Sequence, residues 1–134
     1  MRALLFVLVL VFAGTGACKQ KPPELERDAK LAQSVAAGVE AREWCDRPNV
    51  MGFQVSVADM RDLADEAYQR GARKVWVTGI SELQGKEIAA VMVVELPVAE
   101  ATRAELFGWY NATFHEDDAP ERDVGQAYLE LVLD

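Results

Sequence analysis

The chain has 134 residues, 51% of them apolar, which is enough for one hydrophobic core. Its 22 acidic and 14 basic residues give a net charge of −8, and such a surface repels the phosphates of nucleic acids. Nucleic acid is therefore excluded as an expected partner.

The first seventeen residues have the layout of a secretory signal peptide. Arg2 supplies a short positive region, residues 3–13 are almost uninterruptedly apolar, and residues 14–17 are mostly small. A transmembrane helix needs about 20 apolar residues to cross a bilayer, and this run has roughly half that length. Residues 1–17 are therefore predicted to be a cleaved signal peptide.

The four residues "TGAC", which end at Cys18, resemble the lipobox of bacterial lipoproteins. Gly16 and Ala17 fit that motif, while Thr15 stands where an aliphatic residue is more usual. The resemblance implies that Cys18 is the lipid attachment residue and the first residue of the mature chain. Two or three acyl chains would anchor a small domain to a membrane, because each buried methylene contributes about 0.8 kcal/mol. The alternative is a plain secreted protein in which Cys18 forms a disulfide with Cys45.

The same resemblance implies a location in the cell. Lys19, and not aspartate, follows Cys18, so the expected address is the outer membrane of a bacterial cell envelope, facing the periplasm. Residues 18–23 end in paired prolines, which favour an extended chain, and they are predicted to be the lipid attachment site and tether. Cys45 would then be a lone thiol, expected to be buried and inert, because the only histidine, His115, is distant in sequence.

Residues 24–45 have the period of an amphipathic helix whose apolar side is mostly alanine. "GFQVSV" alternates as a half-buried strand, and a helix capped by Ser56 or Asp59 and closed by Gly71 is predicted after it. "RKVWVTGI" and "EIAAVMVVEL" are predicted to form an antiparallel hairpin around the turn "SELQGK". A second helix in "AEATRAELFGWYNATFHEDD" and a final strand in "GQAYLELVLD" complete the chain.

This order of elements predicts an α+β fold over residues 50–134. Its β-α-β-β-α-β sequence is that of the ferredoxin-like split βαβ, an antiparallel sheet with helices on one face, preceded here by one extra N-terminal helix. Three segments, "LADEAYQRGARKVWVTGI", "VVELPVAEATRAELFGWYN" and "DVGQAYL", resemble a family of uncharacterised bacterial proteins over about residues 59–134. That resemblance implies that the module is used as a unit, and it implies no catalytic or binding residue.

The second face of the predicted sheet is mixed in polarity but too apolar to face water. It is expected to carry Gln54, Ser56, one parity of "RKVWVTGI", Ala89, Val91, Val93, Tyr128, Glu130 and Val132. Apolar patches beyond about 300–600 Å² are rare on monomers, so a cover is expected. The alanine-rich helix is the preferred cover, and a second copy of the chain, another envelope protein or a small apolar ligand are the alternatives.

Candidate reactive residues are few. "HEDD" at His115, with Glu121 and Asp123 close behind, lacks the alternating spacing of a calcium loop, so no metal site is predicted. Arg103 falls within the apolar stripe of the second helix, where an unpaired charge is costly, and it is expected to have a carboxylate partner. The sequence has no phosphate-binding loop and no nucleophile motif. No catalytic residue and no cofactor are therefore predicted.

The sequence leads to two functional hypotheses, which belong to different classes of protein. The first is a lipid-anchored envelope module that is not catalytic and acts by binding a protein partner or a second copy, through the second sheet face or the acidic C-terminal end. The alternative is a small enzyme or ligand-binding protein with a site at the sheet edge, around Trp76, Trp109, Tyr110 and Arg103. A pocket with convergent polar groups would favour the alternative.

Overall fold

The computed structural model describes residues 23–134, which fold into an α+β domain. The helices are α1 (Pro23–Ala36), α2 (Ala41–Cys45), α3 (Val57–Gln69) and α4 (Glu100–Phe114). The strands are β1 (Val39–Glu40), β2 (Val50–Gly52), β3 (Lys74–Thr78), β4 (Ser81–Leu83), β5 (Lys86–Ala89), β6 (Val91–Glu95) and β7 (Tyr128–Val132). The predicted signal peptide and Cys18 lie outside the described residues.

The main sheet has the strand order β1-β3-β6-β7, and each neighbouring pair is antiparallel. The fold class and the antiparallel sheet agree with the prediction, but the strand order differs from the ferredoxin-like one, in which another strand separates the two strands that a helix joins. Here α4 joins the neighbours β6 and β7. The reason is the loop at residues 115–127, which carries the chain back along the sheet so that β7 runs opposite to β6.

One face of the main sheet packs against α2, α3 and α4. Strand alternation directs to this face Val75, Val77, Met92, Val94, Leu129 and Leu131, which are all buried in one core cluster. The helices contribute Trp44, Met60 and Leu106, whose side chains are fully buried. The predicted alternation of the last strand is confirmed by its three buried leucines, Leu129, Leu131 and Leu133.

Helix α1 covers the second face of the main sheet. Leu31 of α1 and Val93 of β6 are buried, yet both lie outside the core cluster of the first face. The Asp28 carboxylate accepts a hydrogen bond from the Ala127 amide, 2.9 Å away, which fixes the first half of α1 beside the start of β7. The alanine-rich helix is thus the cover of this face, as preferred from the sequence, although Val132, on the same face at the end of β7, stays 48% exposed. Gln54, Ser56 and Ala89, expected on this face, lie outside the main sheet.

The helix predicted over residues 24–45 is interrupted, because α1 ends at Ala36 and the chain forms β1 before α2 begins. Gly38 lies at the break. A Cβ on Gly38 would be 2.7 Å from the Val77 carbonyl oxygen, so only glycine allows the backbone to approach the sheet this closely. β1 then pairs with β3, and the Glu40 side chain caps α2 by accepting from the amides of Arg42 and Glu43.

The strand predicted in "GFQVSV" is wrong in both extent and partner. β2 spans Val50–Gly52 and pairs in parallel with β5, in a small second sheet of order β2-β5-β4. The Phe53 amide still bonds the Ala89 carbonyl, after which the chain bends and Ser56 caps α3 by accepting from the Asp59 amide. The predicted cap and helix are confirmed, and Gly71 closes α3 with a φ of +95°.

The segment predicted as the turn "SELQGK" is itself a short hairpin. β4 and β5 pair around Gln84 and Gly85, whose φ values of +53° and +78° are those of a two-residue type I′ turn. The predicted antiparallel pairing is confirmed for β3 and β6. The single strand predicted in "EIAAVMVVEL" is wrong, because it is divided at Ala90 into β5 and β6, which belong to different sheets. The β4–β5 hairpin is an excursion between β3 and β6 that builds the small sheet.

Candidate functional site

The described chain begins at one end of the main sheet. At this end, which we call the tether end, the Leu96 amide bonds the Ala127 carbonyl between β6 and β7. In the first half of α1, Arg27 also forms an ion pair with Glu121 in the loop before β7. The tether predicted at residues 18–23 therefore joins the domain at the tether end, through a helix held from two sides.

Cys45 lies at the end of α2 with its side chain buried, as the sequence analysis expected. Burial raises the pKa of the Cys45 thiol, and nearby Asp46 raises it further, although Arg61 opposes them. A thiol that stays protonated at neutral pH is a weak nucleophile. Cys45 therefore acts as a small apolar core residue.

Arg103 has the carboxylate partner that the sequence analysis expected. Its guanidinium donates two hydrogen bonds to the Asp123 carboxylate, at 3.0 and 2.7 Å, and others to the carbonyls of Pro97 and Gln126. The hydrogen bond with Asp123 raises the pKa of Arg103, and the same contact lowers the pKa of Asp123. Arg103 thus joins α4 to the segments at the tether end.

The acidic segment after α4 is held by contacts to other parts of the protein. The Asn111 side chain exchanges two hydrogen bonds with the backbone of Glu121, whose carboxylate is paired with Arg27. The His115 ring packs on Tyr110, with ring centroids 5.1 Å apart. Within residues 23–134 there is no group of three or more histidine, cysteine, aspartate or glutamate side chains placed to hold a metal ion.

The four residues of the alternative site do not come together. The Trp76 indole bonds Glu95, the Trp109 indole bonds Glu66 on α3, and the Tyr110 hydroxyl bonds the Glu130 carbonyl. Trp76 lies on the sheet face under α1, whereas Trp109 and Tyr110 belong to the core cluster of the other face. These side chains tie elements to one another and line no common pocket with Arg103.

Glu40 forms a polar junction that the sequence analysis did not identify. Burial raises the pKa of the Glu40 carboxyl, but hydrogen bonds from the backbone of Glu43, the Tyr68 hydroxyl and the backbone of Arg42 outweigh burial, so its pKa is lowered. The Tyr68 hydroxyl also accepts from the Val75 amide, 3.0 Å away. It occupies the edge of β3 that the two-residue strand β1 leaves open.

Exposed apolar side chains are concentrated in two places. In the described part of the chain seven large hydrophobic residues are exposed, namely Leu25, Met51, Phe53, Leu83, Val98, Val124 and Val132. The first group lies on the small sheet, where register places Leu83, Ile88 and Met51 on one face, with Phe53 beyond β2. We call these four residues the hairpin face. Phe53 is 63% exposed and Leu83 56%, and because they share one surface they form an apolar patch, which is more informative than a single exposed apolar residue.

The hairpin face has a groove and an open strand edge beside it. The groove, of about 330 Å³, is lined by the apolar side chains of Phe53, Leu83 and Ile88, by Glu82, and by the small residues Gly79, Ser81, Ala89 and Ala90. β4 is the outer strand of the small sheet and all three of its residues are exposed. This surface was not predicted from the sequence, because the residues of β4 were assigned to a turn. A glycine at the second turn position, flanked by alternating residues, is the signal that could have identified the hairpin.

The second group of exposed apolar residues surrounds the tether end. Leu25 and Val124 line a groove of about 370 Å³, and Val98 lines a neighbouring groove of about 390 Å³. Both grooves include Gly125 and Gln126, so the three aliphatic side chains flank one turn. We call Leu25, Val98 and Val124 the tether face.

The two apolar surfaces lie at opposite ends of the main sheet. The hairpin leaves the sheet beyond Thr78 and returns before Val91, where the Leu133 amide bonds the Ala90 carbonyl. The tether end is the other end of the same strands, at Leu96 and Ala127. The domain therefore presents one apolar surface where its tether enters. The second apolar surface lies at the other end of the main sheet, at a distance of one strand length.

Among residues 23–134, no helix combines the length and the apolar character that crossing a bilayer requires. Comparison of the chain with protein-family models, with curated proteins and with solved structures found no match. The lipoprotein and domain-family resemblances therefore stay predictions from the sequence.

Proposed function

We propose that this chain is a lipid-anchored protein of the bacterial envelope whose domain binds a protein partner through the hairpin face. Cys18 is the proposed attachment residue, and the outer membrane, on its periplasmic side, is the proposed location. The observation that carries the binding function is the exposure of Met51, Phe53 and Leu83 on one surface. The "TGAC" motif and Lys19 support the anchor and its address.

The chemistry of the hairpin face favours a polypeptide partner. Complete burial of a leucine or phenylalanine side chain contributes about 1.5–3 kcal/mol, so this surface can supply useful binding energy. The outer edge of β4 also offers backbone hydrogen-bonding groups to an added strand. A segment that is extended and apolar at alternate positions would use both features.

The surface proposed here differs from the one expected from sequence. A partner or second copy was considered at the second face of the main sheet or at the acidic C-terminal end, and α1 packs on that face through Leu31. The titratable groups with shifted pKa values, such as Glu40 and Asp123, are engaged in contacts within the domain. These observations support a binding role at the hairpin face over a site at the sheet edge.

The anchor is tested by the mass and thiol content of the full-length protein purified from bacterial membranes. We expect a mass equal to residues 18–134 plus acyl chains, and one titratable thiol, Cys45, after denaturation. Two thiols would mean that Cys18 is unmodified, and none would indicate the disulfide between Cys18 and Cys45. Either of these results contradicts the anchor.

The partner surface is tested with a photoreactive amino acid at Leu83 in the full-length, membrane-bound protein. We expect a crosslink to one protein, identified by mass spectrometry, that then binds the purified chain directly. Phe53→Ser should weaken that binding by roughly tenfold, which corresponds to about 1.4 kcal/mol. The matched control is the same photoreactive residue at Ala104, exposed on α4, which should yield no such crosslink.

Two results would contradict the partner surface. The first is a crosslink between two copies of this chain together with a concentration-dependent dimer, which would assign the hairpin face to self-association. The second is unchanged partner binding by a Phe53→Ser and Leu83→Ser variant that folds normally. Because both side chains are largely exposed, we expect the double variant to retain its stability within about 0.5 kcal/mol.

A further inference from the structure

We infer that the tether face, formed by Leu25, Val98 and Val124, rests on the phospholipid surface and that the hairpin face consequently points away from it. This inference rests on the proposed lipid anchor at Cys18. It adds the orientation of the domain, which the anchor alone does not determine.

The length of the tether restricts that orientation. Four residues separate Cys18 from Pro23, where α1 begins, and the five extended steps between these two residues span at most about 18 Å. A domain of this size has a radius of gyration of about 13 Å and is roughly 30 Å across. Because the tether enters at the tether end, it is too short for an inverted domain, in which the hairpin end would lie on the bilayer and the tether end roughly 30 Å above it.

The side chains at the tether end suit the interface of a bilayer. Val98 is 87% exposed, and Leu25 and Val124 are exposed as well, although each is an aliphatic residue that water solvates poorly. Aliphatic side chains of interfacial proteins enter about 5–10 Å into the boundary between head groups and acyl chains. Insertion of these three residues would remove from water the apolar surface that the fold leaves uncovered at this end.

The charges around the tether face are mixed. Glu24 and Asp28 line one groove and Arg73 lines the other, while Lys19 and Lys21 lie in the tether. Asp28 is turned toward the Ala127 amide, which satisfies part of its hydrogen-bonding capacity. These charges nearly cancel, so electrostatic repulsion does not keep the tether face away from zwitterionic head groups.

The inference is tested with an environment-sensitive fluorophore on single cysteines introduced into the lipidated full-length protein. Val98→Cys labels the tether face and Leu83→Cys labels the hairpin face, while buried Cys45 should stay unlabelled in the folded protein. Both proteins are placed in phosphatidylcholine vesicles that contain nitroxide-labelled lipids. A label that enters the interface by about 5–10 Å should be quenched more strongly than one held away from it, so we expect stronger quenching at position 98 than at position 83.

A second pair of variants separates insertion from mere proximity. Leu25→Ser with Val124→Ser should reduce the quenching of the label at position 98, because the remaining tether face is no longer apolar. The matched pair Met51→Ser and Phe53→Ser changes the hairpin face by the same chemistry and should leave that quenching unchanged.

The outcomes distinguish this inference from the anchor on which it rests. Purified protein with the acylated mass but equal quenching at positions 98 and 83, or stronger quenching at 83, overturns the orientation while the anchor stands. Unchanged quenching at position 98 in the Leu25→Ser and Val124→Ser variant overturns insertion. A mass that lacks acyl chains overturns both proposals.

Discussion

Arg103 is a charged residue in the apolar stripe of α4, and its role is to connect parts of the fold. Its side chain is only 12% exposed, and its guanidinium bonds a carboxylate and two backbone carbonyls from two other segments. One of these segments, around Asp123, leads directly into β7. The ion pair therefore holds the segment that leads into β7 against α4, and it offsets the cost of placing a charge in an apolar stripe.

Arg103→Met should lower the free energy of unfolding by about 2–4 kcal/mol, because it keeps the bulk of the side chain but leaves Asp123 and two carbonyls without their donor. Urea denaturation followed by tryptophan fluorescence measures this change. The control is Arg27→Met, which removes a more exposed ion pair with Glu121 and should cost less than about 1 kcal/mol. Equal losses in the two variants would contradict the assigned role.

The free energy of unfolding should depend on pH through the ionisation of Asp123. The pKa of Asp123 is lowered in the folded state, mainly by its hydrogen bond with Arg103. The contribution of Asp123 to the free energy of unfolding is therefore fully present above the unfolded pKa of about 3.9. It is lost as the pH falls through the pKa of the folded state. The difference in unfolding free energy between wild type and Arg103→Met should therefore shrink as the pH falls below about 4. Urea titrations at several pH values test this expectation.

Asp123→Asn is the control for that titration, since it removes the carboxylate without changing the size of the side chain. Glu40, whose pKa is also lowered, remains in every variant and its contribution cancels in the comparison. A difference between wild type and Arg103→Met that stays constant down to low pH would contradict the coupling of Arg103 and Asp123.

At the scale of elements, Gly38 decides where α1 stops. The helical period continues past it in the sequence, yet the chain turns there to pair β1 with β3. Gly38→Ala should lower the free energy of unfolding by about 1–3 kcal/mol, because the added methyl would meet the Val77 carbonyl at 2.7 Å. Thermal or urea unfolding measures the loss.

Gly108→Ala in α4 is the matched control for Gly38. A Cβ at Gly108 meets no atom within 4 Å, and alanine is the better helix former, so this change should stabilise the protein by about 0.5–1 kcal/mol. Opposite signs for the two glycines would support Gly38 as a position of close approach. A neutral or stabilising Gly38→Ala would instead favour a continuous helix.

Local signals predicted those elements that local contacts determine. The cap at Ser56, the closing Gly71 and the alternation in β7 act within a few residues, and α3 and β7 form as expected. The strand order depends on the path of the loop at residues 115–127, which is set by tertiary contacts such as that of Arg103 with Asp123. No periodicity records such a contact, so the ferredoxin-like order was expected and a different one formed.

The same difference between local and long-range contacts explains which candidate residues and surfaces could be predicted. Cys45 and Arg103 were placed correctly because burial and charge pairing follow from composition and period. The hairpin face was missed because Phe53 was assigned to the main sheet, whereas β2 pairs with β5 in a separate sheet. Which side of a short strand meets solvent depends on its pairing partner, and the partner is distant in sequence.

The whole domain has three layers, which are the helices α2, α3 and α4, the main sheet, and α1. Helix α1 is the layer that completes the domain. Asp28, Arg27 and Leu31 hold α1 to the start of β7, to the loop before it and to the second face. An isolated helix of this length is marginal in water, so the docking surface supplies most of its stability. The helix that would carry the tether is therefore expected to unfold with the rest of the domain.

Leu31→Ala tests that expectation, because Leu31 is the buried residue of α1. Removal of a buried leucine side chain should lower the free energy of unfolding by about 2–4 kcal/mol, whereas Leu25→Ala, at an exposed position of the same helix, should change it by less than about 0.5 kcal/mol. In wild type the urea transitions followed by far-UV circular dichroism and by tryptophan fluorescence should coincide. An early loss of helical signal, with Leu31→Ala no worse than Leu25→Ala, would mean that α1 is a separate unit and leaves the second sheet face available.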